Sequence, residues 1–117
     1  MYVGNAFADG EPEGGWIVGH FLRGDDPRHS DAVEVKWGVH PPGDARAGWA
    51  VEETRTAVLV LVSGSFVMIF RDREVALDRP GDYVLWGPGE DHSWRAETDA
   101  VVLTVRWPSV PGYRVPS

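Results

Sequence analysis

Gly81-Asp82-Tyr83-Val84-Leu85-Trp86-Gly87-Pro88-Gly89-Glu90-Asp91-His92 is the stretch that decides the fold. Arg79-Pro80-Gly81-Asp82 reads as a turn, and residues 83–86 form a short run of β-formers. Gly87-Pro88-Gly89 then bends the chain, and residues 92–96 read as the next strand. His92 opens that strand, with Trp94 two residues on and therefore on the same face. A single imidazole set at a fixed distance beyond a strand and a Pro-Gly bend is a pattern suited to a site.

Working outward, the same punctuation recurs on both sides. Residues 56–62 and 66–71 form a hairpin around Ser63-Gly64-Ser65, Asp72-Arg73 makes a tight turn, and residues 75–77 return briefly. Residues 100–107 are the last long strand, stopped by Pro108. Upstream, residues 16–22 and 32–40 read as strands joined by a charged loop, Pro41-Pro42-Gly43 stops the second, and residues 49–53 suggest a short strand. Residues 1–15 are glycine-rich and acidic, a flexible N-terminal arm that adds at most an edge strand near Tyr2 or Phe7. Residues 16–107 form the single β-barrel domain, and 108–117 a proline-rich tail.

The register from Gly81 to His92 resembles the second signature motif of the cupin superfamily. Gly81, Gly89 and His92 fall in step with it, while Gly87 stands where the motif has proline and Ala96 where it has asparagine. The resemblance implies an all-β, single-domain antiparallel jelly-roll β-barrel of the small RmlC-like cupin type, with His92 pointing into a lumen. It also implies a homodimer. The family's first motif, which supplies most metal ligands, is degenerate here. Counting from Gly43 puts Trp49 and Val51 on the two histidine positions, and counting back from Gly64 puts Ala57 on the glutamate position, with Arg55 or Thr56 as alternatives. Glu52 and Glu53 lie close by. A tightly held metal needs several converging imidazole and carboxylate ligands, so the expected cofactor is none.

Composition agrees with a small β domain. The 117 residues suffice for one core, and 14 glycines and 9 prolines cut the chain into short runs. A net charge of −7 with dispersed arginines argues against nucleic acid or an anionic membrane surface as partner. With no cysteine there is neither disulfide nor thiol chemistry, and the expected compartment is the cytoplasm. The longest apolar run is far too short to span a bilayer.

Strand alternation leaves two readings of the polar residues open. Glu34, Lys36 and His40 share one face of their strand opposite Val33, Val35, Trp37 and Val39, and Thr104 and Arg106 share one face of theirs. Either these are solvent faces, which makes Trp37 a core residue, or they line a polar lumen with His92. His20 reads as a core histidine and His29 as a solvated one. Of 6 tryptophans, Trp49, Trp86 and Trp94 are the candidates for an aromatic-walled pocket.

Three functions fit. The first is a metal-independent isomerase, epimerase or cyclase acting on a small organic metabolite, with His92, Arg106 and His40 as catalytic residues and Trp49, Trp86, Trp94, Lys36 and Glu34 as ligand-binding residues. The second is a metal-dependent enzyme whose divalent ion, such as zinc, iron, nickel or manganese, is held by His20, His40 and His92. The third is a non-catalytic binding or structural protein.

Overall fold

Eight strands arise where the apolar runs predict them, β1 (Trp16–Val18), β2 (Glu34–His40), β3 (Thr56–Ser63), β4 (Phe66–Phe70), β5 (Glu74–Leu77), β6 (Tyr83–Trp86), β7 (His92–Ala96) and β8 (Ala100–Trp107). The structure, a computed structural model, describes residues 1–112 and 115. The end of the expected tail, at positions 113, 114, 116 and 117, lies outside the described residues. Every strand pairing is antiparallel, in one sheet of order β1-β2-β8-β3-β6 and another of order β5-β4-β7.

The two sheets enclose the core. Ala57, Leu59 and Leu61 of β3 and Val102 of β8 meet Phe66, Met68 and Phe70 of β4, all buried. Phe66 and Met68 are each only 1% exposed.

Three local expectations change. The N-terminal segment forms no edge strand: Asn5 caps a short helix, α1 (Ala6–Gly10), by accepting a hydrogen bond from the Ala8 amide, and one 3-10 turn follows. Asparagine at a helix start outweighs the weak β-propensity around Phe7. The first strand ends at Val18, after a register shift against β2 between Trp16 and Val18, and Gly19 bridges His29 instead. Residues 49–53 form no strand, only bridge positions at Ala50, which pairs with His92, and at Val51.

Of the two readings of the polar strand faces, the structure has the inward one. The polar set of β2 points inward, with Glu34 1% and His40 9% exposed, while Val39 on the other face is 49% exposed. Trp37 is therefore an outer residue and not core. Residues 109–112 pack back on the barrel, the Ser109 amide donating to the Asp31 carbonyl and the Thr54 amide to the Gly112 carbonyl. No helix among the described residues is long and apolar enough to cross a membrane.

Candidate functional site

Register builds the site rung by rung. Across the large sheet Trp86, Ala57, Arg106 and Glu34 stand abreast, and one rung further in Leu59, Thr104 and Lys36 follow. On the small sheet Phe70 faces His92 and Met68 faces Trp94. Inward side chains of these rungs line a cavity of about 50 Å³ that includes Lys36, His40, Arg46, His92, Thr104 and Arg106. That volume holds only a few water-sized groups. Aromatic walls come from Trp16, Trp86 and Trp94, with Phe66 below.

His92 is 4% exposed, and its ring lies 5.0 Å from that of Trp86. Its Nδ1–H donates to the Glu90 carbonyl at 3.1 Å, which leaves Nε2 as the basic nitrogen of the neutral ring. Burial holds its pKa below the ordinary imidazole range. The Glu90 carbonyl opposes that shift, Arg46 reinforces it, Glu53 opposes it and Arg106 reinforces it. His92 is thus a neutral base at neutral pH.

His40 is oriented by a residue that the sequence did not single out. Pro41-Pro42-Gly43 turns the chain so that Asp44 Oδ2 accepts from His40 Nδ1 at 2.8 Å. His40 packs 4.6 Å from Trp94 and 5.3 Å from Phe66 between ring centroids. Gly38 gives it room, since a Cβ there would lie 3.0 Å from His40 Nε2.

Arg46 was also missed. It precedes Trp49 in an irregular segment and reaches the lumen because its amide donates to the Trp94 carbonyl at 3.1 Å, tying the segment to β7. Irregular backbone has no period from which to read a face. Arg106 lies with its guanidinium 4.2 Å from the Trp16 ring centroid, and Lys36 Nζ lies 5.6 Å from the same ring. Glu34 is not among the lining residues but stands behind Arg106. Its Oε1 lies 2.9 Å from Arg106 Nε, at an angle unsuited to a hydrogen bond, and it is paired with Arg55 as well. Arg55 in turn donates from Nε to Glu53 Oε1 at 2.7 Å and from Nη2 to Oε2 at 3.2 Å. Burial raises the Glu53 pKa, but the hydrogen bonds from Arg55 outweigh this and the net shift is downward.

Trp49 is a correction. Its ring carries the Arg71 guanidinium at 4.1 Å and is not among the lumen-lining residues. His20 is another, for its Nδ1 bonds Ser109 Oγ at 2.8 Å and it stays outside the lumen. His29, expected to be solvated, is half-buried and donates from Nδ1 to the Leu22 carbonyl at 2.8 Å. Of the three histidines of the metal alternative, His40 and His92 share the lumen and His20 does not join them. Among the described residues no group of three or more His, Asp or Glu side chains is placed to hold a metal ion. Buried Ala50 faces His92, and the charges of Arg46 and Arg106 act on its imidazole, so the surroundings oppose a cation.

No protein-family model and no curated protein matches the chain. Solved structures do. A protein with a double-stranded β-helix domain from Klebsiella pneumoniae, itself uncharacterised, is 16% identical at a TM-score of 0.65, over 75% of this chain and 77% of that one. An RmlC-like cupin from Desulfovibrio desulfuricans is 18% identical at 0.61, over 69% and 76%. A cupin from Bacteroides fragilis is 18% identical at 0.59, over 71% and 73%. At these identities the likeness is one of fold.

Proposed function

We propose, on the premise that this chain is a cupin by fold, that its lumen binds a small organic anion and turns it over by metal-independent acid–base chemistry. One observation carries this reading. Lys36, Arg46 and Arg106 line the cavity with no acidic side chain among the described lining residues, in a chain whose net charge is −7. Glu34 balances Arg106 from behind, and the cationic lining that Lys36 and Arg46 add in one small cavity of an acidic protein favours a carboxylate or a comparable anion.

The chemistry follows from the imidazoles. Neutral His92 takes a proton through Nε2 from a carbon next to the ligand's carboxylate or carbonyl. Arg46 and Arg106 hold the negative charge that develops on the ligand oxygens. His92 then returns that proton to another carbon of the isomerised skeleton, beside His40, which Asp44 fixes. The net reaction is a proton shift, as in an isomerase, epimerase or cyclase, and it consumes no other reactant. Trp86 and Trp94 wall the planar intermediate.

Binding is read by tryptophan fluorescence against a panel of short carboxylates and their neutral amides. A carboxylate is expected to bind at least tenfold more tightly than its amide, and Arg46→Gln to remove most of that preference. Equal affinity for acid and amide overturns the anion reading. Catalysis is read separately, by exchange of ligand carbon-bound hydrogen with deuterated solvent. His92→Ala is expected to abolish that exchange while changing affinity only a few-fold. A second reading, a protein that binds without catalysis, is favoured by the small cavity volume. It holds if ligands bind and no exchange occurs in the native protein.

A further inference from the structure

Along one side of the barrel the two sheets do not join. β5 ends the small sheet and β6 ends the large one, and among the described residues no ladder links them. Between these edges lies a groove of about 410 Å³, against about 50 Å³ for the lumen. Its size falls within the range of about 300–1,000 Å³ usual for small-molecule sites. Phe70, Val75, Val84 and Trp86 give it an apolar floor, Leu85 adds to the wall at the surface, and Asp72, Arg73 and Glu90 bring charge to the lining. Among the described residues Trp86 alone lines both the groove and the lumen. Its ring stands 5.8 Å from that of Phe70 and 5.0 Å from that of His92. The Trp86 Nε1–H is buried and meets no acceptor among the described residues. A buried indole N–H usually has a partner, because a donor taken out of water without one is costly.

We infer that the groove between β5 and β6 is a second binding site, for a neutral planar heteroaromatic molecule whose ring nitrogen or carbonyl oxygen accepts from Trp86 Nε1–H. Three features select that chemistry. The Phe70 and Trp86 rings offer aromatic contact to a flat molecule, and the valines and Leu85 cover its edges with apolar surface. The lining carries two carboxylates, Asp72 and Glu90, against the one guanidinium of Arg73, so an anion is disfavoured here as it is favoured in the lumen. The buried indole N–H asks for an acceptor, and the lumen has room for only a few water-sized groups, so a ring that supplies one comes from the groove side. The site stands apart from the proposed lumen chemistry and does not depend on it.

Nuclear magnetic resonance of the isotope-labelled full chain tests the inference, with quinoline as the probe and naphthalene as its match in shape without an acceptor. Quinoline is expected to shift the amides of Val75, Val84 and Leu85 together with the Trp86 indole N–H. It is expected to bind at least threefold more tightly than naphthalene, the effect of one neutral hydrogen bond. Trp86→Phe should erase that preference. Leu85→Glu, at a position 56% exposed, should weaken both probes at least fivefold while leaving far-ultraviolet circular dichroism unchanged. If Trp86→Phe does not fold, the indole resonance of the native protein and the Leu85→Glu affinities still decide. No shift with quinoline, shifts centred on Lys36 and Thr104 instead, or an affinity that Leu85→Glu leaves unchanged overturns the site. Equal affinity for the two probes, or groove amides that shift while the Trp86 N–H stays in place, overturns the assigned ligand class.

Discussion

His92 carries its own pH signature. Its pKa is depressed by burial first, with Arg46 and Arg106 adding to the effect and the Glu90 carbonyl and Glu53 subtracting. In the unfolded chain the imidazole titrates near 6.5. Above that value neither state holds the proton, and His92 costs nothing. As pH falls through 6.5 the unfolded state binds a proton that the folded state refuses, so stability declines until the folded pKa is reached. Glu53 acts lower, because its depressed folded pKa stabilises above about 4.5 and that contribution is lost as pH falls further. Urea denaturation of native protein should therefore lose stability in two acid steps. His92→Gln should flatten the upper one and keep the lower; an unchanged upper step would show that the imidazole is not desolvated.

At the scale of elements, the inward face of β2 and β8 is what alternation left open. Both faces of these strands contain apolar residues, so alternation alone does not say which turns inward. Pairing decides it. Glu34 stands opposite Arg106 across the strands and forms an ion pair with it inside, where an unpaired charge would be costly. Phe66→Ala should thus cost about 3–5 kcal/mol, since its ring is buried between the sheets. Trp37→Ala should cost well under that in dilute monomer. The two midpoints of chemical unfolding, compared at one low concentration, decide it. Equal losses would return Trp37 to the core.

For the whole molecule, the Glu34, Arg55, Glu53 and Arg106 network closes one end of the barrel. It joins β2, β8, the segment just before β3 and the segment after β8, where the Val110 carbonyl accepts from Arg55 Nη1 at 3.2 Å and Ser109 Oγ donates to Glu34 Oε2 at 3.4 Å. Two carboxylates balance two guanidinium groups, all of them buried. Removing one partner strands the others in a poorly hydrated interior, so Glu34→Ala is expected to lower stability by about 3–5 kcal/mol. Urea unfolding at neutral pH measures this. A loss under 1 kcal/mol would mean that water reaches the network.

The amino-acid sequence by itself determined the all-β architecture and most strand positions, because turn residues and β-formers act locally. Gly81, Gly89 and His92 placed the imidazole at the start of β7, and it is buried at the lumen. Local spacing does not carry across strands, however. That Arg46 joins the cavity, that Asp44 orients His40, and that Trp49 and His20 stay out of it depend on how irregular segments fold back on the sheets. Tertiary structure decided these, together with which face of β2 turns inward, because long-range pairing sets the direction of every second side chain.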